Sequence, residues 1–198
     1  MLTELQYFGS ISYISALLKA KDICFDQNDR FTKMSFKNRT IIGSAQGPLN
    51  LTIPIIGGRD QKNRLTEIRI DYSTSWQNHH LKSIQSCYKR APFFDYYEES
   101  LKVLLASQSE FLFDYLLLTN QWVQKQFKNS WIIDSNLDII NEQVYRDEWL
   151  PKNYQLCTNL NRYQQVFEIQ NGFISNLSIL DMLFCCGGRQ AQELLKSS

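Results

Sequence analysis

At 198 residues the chain has room for one large domain, and 43% hydrophobic against 21% charged residues is ordinary globular usage. Aromatics at 13% supply a sizeable core, and a net charge of +1 excludes a wholesale nucleic-acid binder or a disordered acidic tail. Five cysteines, an odd number with no C-x-x-C spacing, fit neither a disulfide framework nor a zinc site. Reduced thiols and a cytoplasmic protein are therefore expected.

The opening MLTELQYFGSISYI carries Glu4 and lacks a basic segment followed by a long apolar run, so it does not read as a signal peptide. ISYISALLKA (11–20) places Ile11, Ile14, Leu17 and Leu18 on one helical stripe. ICFDQ (23–27) is a short strand. If Phe31 to Lys37 is a strand, Phe31, Lys33, Ser35 and Lys37 share a face. In LNLTIPII (49–56) Leu49, Leu51, Ile53 and Ile55 alternate with polar residues and Pro54, which directs the strand to a sheet edge or to its own end. QGP (46–48) and GGRDQKN (57–63) are turn material, and LTEIRID (65–71) alternates again as a strand would.

From residue 74 the period changes to 3.6. A helix is expected from about 75 to 91, where Pro92 stops it. A second is marked by Phe94, Tyr97, Leu101, Leu104 and Leu105, and a third by Phe111, Tyr115, Leu118, Trp122 and Val123. WIID (131–134) reads as a short strand returning to the sheet. RYQQVFEIQ (162–170) reads as helical up to Gly172, and SNLSILDMLFCC (175–186) as a capped helix stopping at Gly187 and Gly188. No segment approaches the roughly 20 apolar residues of a membrane span. The chain thus reads as one domain, 1–198, β-rich over 1–73 and helical over 74–198: an α+β fold, or mixed α/β if 131–134 joins the sheet.

Both histidines lie side by side in the first of these helices. At about 100° per residue, Trp76, His80, Ile84, Cys87 and Tyr88 share one sector, while His79 falls beside Ser83, Ser86 and Arg90 on the polar flank. His80 therefore points inward, where desolvation disfavours its charged form, and His79 outward. An inward histidine is either a satisfied core residue or a partly buried general base. Around this helix, residues 30–90 hold eleven cations against three anions, a net +8 that suits an anionic ligand if it folds onto one face. Within it, Lys33 and Arg39 have the chemistry to hold a phosphate or carboxylate. Asp181 sits among Leu180 and Met182 on an apolar helix and must find a partner there. The standard dinucleotide, P-loop, serine-hydrolase and zinc-hydrolase motifs do not occur, and no metal site is expected.

Several blocks in order resemble the WbqC-like family of bacterial proteins. They are Gln6-Tyr7-Phe8 with Tyr13, Lys33 with Asn38-Arg39, Trp76-x-x-x-His80 with Tyr88, and Ala91-Pro92-Phe93-Phe94 with Tyr96-Tyr97. At the C-terminal end follow Tyr163-Gln164-Gln165-Val166-Phe167 and Gly172-Phe173-x-x-Asn176-Leu177-Ser178-Ile179-x-Asp181. Gly9 stands where the family usually has proline. Val144 takes the place of an aspartate ahead of Arg146, Pro151 and Lys152. The resemblance implies a cytoplasmic bacterial protein of surface-polysaccharide biosynthesis, a transferase-like enzyme acting on a sugar phosphate, nucleotide-sugar or acyl donor. A non-catalytic accessory protein of the same machinery is the other reading. Neither the residues nor the resemblance names a cofactor. Together they mark His80 and Asp181 as catalytic candidates, and Tyr7, Lys33, Asn38, Arg39, Tyr88, Gln164 and Asn176 as substrate-binding ones. An enzyme of this kind needs His80 open to a cleft that Lys33 or Arg39 also lines.

Overall fold

The structure, a computed structural model, describes residues 2–20, 22–127, 132–133, 144–145, 151–152, 154–156 and 160–197. Arg146 and Cys157 lie outside these residues. The first strand, β1 (Leu2–Thr3), leads through helix α1 (Ile11–Lys19) to β2 (Asp22–Phe25), which pairs with β1 in parallel. Two later strands complete the sheet: β5 (Ile132–Ile133) beside β2 and β6 (Val144–Tyr145) beside β1, both parallel, giving the order β5-β2-β1-β6. The return of 132–133 to the sheet follows the sequence expectation. A separate antiparallel hairpin joins β3 (Arg39–Ser44) to β4 (Gly47–Thr52). Its turn falls at residues 45–46, and β4 ends just before Ile53-Pro54.

Helices dominate the remainder: α2 (Trp76–Tyr88), α3 (Phe94–Ala106), α4 (Leu112–Lys125), the single turn α5 (Glu168–Asn171) and α6 (Ile179–Lys196). The fold is α+β, with its strands concentrated early and its helices late. Among the described residues no helix is long and apolar enough to cross a membrane.

The helical stripes form as their spacing demands. Trp76, His80, Ile84, Cys87 and Tyr88 are the buried residues of α2; Phe94, Tyr97, Leu101, Leu104 and Leu105 are those of α3. The stripe of α4 is rotated from expectation. Leu112, Leu116, Thr119 and Asn120 turn inward, and Leu118 is left exposed. Asn120 can occupy the core because its amide donates to the Gln6 and Leu116 carbonyls at 3.0 and 2.8 Å.

Three segments depart from the sequence reading. LTEIRID is not a strand: Leu65–Glu67 form a 3₁₀ turn, in which the Glu67 carboxylate accepts the Arg64 N–H at 3.1 Å. Leu65 and Ile68, three residues apart, are buried together at 3₁₀ spacing, and only single bridges from Arg69 and Ile70 keep strand character. Residues 31–37 form no strand, and turns and bends fill 33–38. There Lys37 reverses into the core while Lys33 stays at the surface. The 162–167 stretch is irregular, since its buried side chains make specific hydrogen bonds that a regular helix would disperse. Helix α6 does break at Gly187 (φ 72°, ψ 161°), where the sequence placed its stop, and a second helical segment then continues to Lys196.

Lys37 is the most demanding residue of the fold, with only 1% of its side chain exposed. Its ammonium lies 2.8 Å from Asp29 Oδ2 and 3.6 Å from Glu4 Oε2, and donates to the Arg30 carbonyl at 2.8 Å. Both carboxylates are themselves buried. Removing one partner from such a cluster leaves charge that water cannot reach. Lys37→Met should therefore cost about 3–5 kcal/mol of unfolding free energy in urea titrations. Lys33→Met, at an exposed pair with Asp60, should leave the midpoint nearly unchanged.

Candidate functional site

The segment between β1 and α1 carries Tyr7 beneath α2, where its hydroxyl meets His80 Nδ1 at 2.9 Å. Both side chains are almost fully buried, and the Trp76 ring stands edge-on to the imidazole at 5.1 Å. Burial pushes the His80 pKa down to about 4, assisted by the nearby His79. The Thr52 backbone works the other way, favouring the charged ring. Burial and the neighbouring Tyr115 hold the Tyr7 phenol well above its ordinary range. The pair is thus neutral at physiological pH. It borders an open depression of about 610 Å³ lined by Asn50, Thr52, Thr74, Ser75 and the exposed His79. Neither Lys33 nor Arg39 lines it.

A second buried centre forms around Asp181, 2% exposed on the first turn of α6. Tyr88 donates to its Oδ2 and Tyr163 to its Oδ1, each at 2.6 Å. Gly43 N–H donates to the Tyr88 hydroxyl at 2.9 Å, and the Gln165 amide to the Tyr163 hydroxyl at 3.2 Å. Burial raises the Asp181 pKa while the hydrogen bonds from Tyr163, Tyr88 and Gln165 oppose the rise. Burial, with Asp181 close by, lifts Cys87 and Cys185 above the usual thiol range and Cys186 to about 11. These thiols are not thiolates at neutral pH.

The other candidates are spread through the fold. Lys33 is exposed and paired with Asp60 at 2.9 Å. Asn38 binds the Ile53 carbonyl through Nδ2 at 2.9 Å and receives the Ile53 N–H on its own carbonyl. Arg39 is half-buried, with Nε enclosed and no hydrogen-bond partner. Asn176, at positive φ, accepts the Ser12 N–H at 2.8 Å and donates to the Tyr154 carbonyl. With Leu177 O on Ile11 N–H and Ser10 Oγ on Tyr13 N–H, the N-terminal amides of α1 are occupied. A phosphate therefore finds no free cradle at that helix.

Gln164 is exposed and lines a cleft of about 620 Å³ between the end of α2, residues 164–170 and α6. Lys89 and Arg90 line it too, and neither side chain has an ion-pair or hydrogen-bond partner among the described residues. Sequence reasoning singled out neither of them. It also chose Gln164 over Gln165, which is the buried amide tied to Tyr163 and to both backbone groups of Ile174. The resemblance block contained both glutamines, and nothing local distinguishes which one turns inward.

Residues 6–150 match the WbqC-like protein family. The chain belongs to that family. No curated protein and no solved structure matches it. The match embraces Tyr7, Lys33, Asn38, Arg39, His80 and Tyr88, whereas the Tyr163–Asp181 blocks lie beyond it.

In this WbqC-like protein His80 is the group with a distinct pH signature. Its folded pKa of about 4 lies below the unfolded value of about 6.5, so the unfolded chain binds the proton more readily. Stability is full above pH 6.5, falls as the pH drops toward 4, and has lost about 2 kcal/mol by pH 5 from this group. Asp181, with its carboxyl held up, acts in the opposite sense, losing stability as the pH rises above the ordinary carboxylate range. Urea unfolding at pH 7.5 and 5.0 should show a fall about 2 kcal/mol smaller for His80→Gln than for the wild type. Equal falls would contradict the buried neutral imidazole.

Proposed function

We propose that this WbqC-like protein binds an anionic sugar, nucleotide-sugar or acyl intermediate of bacterial surface-polysaccharide biosynthesis in the cytoplasm, and holds it in the cleft beside α2. The observation carrying this reading is the cleft's chemistry. Lys89 and Arg90 offer cations, Gln85, Gln164 and Gln170 offer amides, and Pro92 and Phe167 offer an apolar wall. A point charge and a planar fork suit a phosphate or carboxylate, amides suit sugar hydroxyls, and an apolar wall suits a ring face or chain. The volume is that of a small-molecule site.

Of the two classes, the binding or accessory role has the stronger support. His80 Nδ1 and both oxygens of Asp181 are engaged within the protein. The transferase-like reading rests on one observation: His80 is neutral at pH 7 and borders an open depression, so an acceptor hydroxyl reaching its unprotonated ring nitrogen would meet a base.

A thermal-shift panel of sugar phosphates, nucleotide-sugars and acyl-CoAs tests the reading. A ligand at a hundred times its Kd stabilises by about 2.7 kcal/mol, a rise of roughly 5–10 °C for a chain of this size. Arg90→Glu should abolish the rise, whereas Arg39→Glu should leave it, because Arg39 does not line the cleft. An undiminished rise in Arg90→Glu would overturn the assignment.

A further inference from the structure

A groove on the α3–α4 face has no part in the cleft just described. We infer that it binds an anionic amphiphile, a straight alkyl chain ending in a phosphate or carboxylate. Eight large hydrophobic side chains are exposed among the described residues, and four of them (Phe93, Tyr96, Val103 and Leu118) line two cavities of about 750 and 770 Å³. The cavities share Tyr96, Lys125 and Gln126, so they form one continuous groove from the α6 kink to the space between α3 and α4. Exposed apolar surface concentrated in one concavity marks a binding surface, whereas scattered single residues do not.

Much of the lining offers carbon, because several of its polar atoms are already engaged. Ser107 Oγ donates to the Leu104 carbonyl at 2.6 Å, Ser100 Oγ to the Tyr97 carbonyl at 3.0 Å, and Trp122 Nε1 to Ser100 Oγ at 3.1 Å. Two glycines shape the other end. A Cβ on Gly187 would lie 2.9 Å from the Phe93 ring, and one on Gly188 would lie 2.1 Å from the Gln126 carbonyl. The kink there depends on their lack of side chains.

Charge completes the match. Lys125, exposed and without an ion-pair partner among the described residues, stands where the two cavities join. Arg189 lies at the kink end, joined to Glu193 at 3.4 Å. An apolar trough with an unpaired ammonium beside it is complementary to a chain with one anionic head. The site is separate from the cleft: Pro92 and Cys185 line the cleft, while their neighbours Phe93 and Cys186 line the groove.

Isothermal titration with octyl, decyl and dodecyl phosphate, each below its micelle concentration, tests the inference. Affinity should rise about two- to fourfold per added methylene, and inorganic phosphate alone should give no saturable binding. Val103→Glu and Lys125→Glu, both at exposed positions that leave the fold intact, should each weaken dodecyl phosphate at least tenfold. Affinity independent of chain length, or unchanged in Val103→Glu, would overturn the site. So would a concentration-dependent dimer in sedimentation that Val103→Glu dissolves, since a second copy would then be the occupant.

Discussion

One carboxylate joins four parts of this molecule. Asp181 at the start of α6 accepts Tyr88 from α2 and Tyr163 from the segment leading to α5, and Tyr88 in turn accepts the backbone N–H of Gly43 in β3. A carboxylate so deeply buried is tolerable only when both oxygens are hydrogen-bonded, so each tyrosine hydroxyl is a requirement of the fold. The same demand explains the glycine. A Cβ at residue 43 would sit 3.1 Å from Asp181 Oδ2 and press on the acceptor. Because Gln165 binds Tyr163, the wall of the cationic cleft is fixed through this carboxylate.

The helical half was legible in the sequence for a physical reason. A helix repeats its burial every 3.6 residues, so the inward sector of α2 and the stripe of α3 could be read from local spacing alone. Strand-like alternation misled where a polar contact overrode it. Ser35 and Lys37 do turn inward, but Lys33 does not, because Asp29 and Glu4 draw Lys37 into the core while Asp60 meets Lys33 at the surface. Ile68 and Ile70 fitted a period of two while Leu65 and Ile68 fitted a 3₁₀ turn, over so short a run. Contacts between distant segments left no local trace. Asn176 capping α1 across 164 residues is one case, and Lys89 and Arg90 facing Gln164 is another.

Function divides along the same line. The residues that looked most chemical, His80 and Asp181, are satisfied by tyrosines and backbone inside the protein, and burial holds each in its less charged range. The groups still free to meet a ligand lie at the rims: Lys89 and Arg90 at the end of α2, and Lys125 at the end of α4. On the reading we propose, recognition falls on helix ends whose positions are set by buried hydrogen bonds, which makes those bonds determinants of ligand affinity.

The coupling of Tyr88 and Tyr163 through Asp181 tests that account most directly. Urea unfolding of Tyr88→Phe, Tyr163→Phe and the double variant gives the interaction energy of the two hydroxyls. Each single change should cost about 1–3 kcal/mol, and the pair should deviate from additivity by at least about 0.5 kcal/mol, because both act on one buried carboxylate. Strict additivity, or single changes without measurable cost, would contradict the claim that Asp181 holds these segments together.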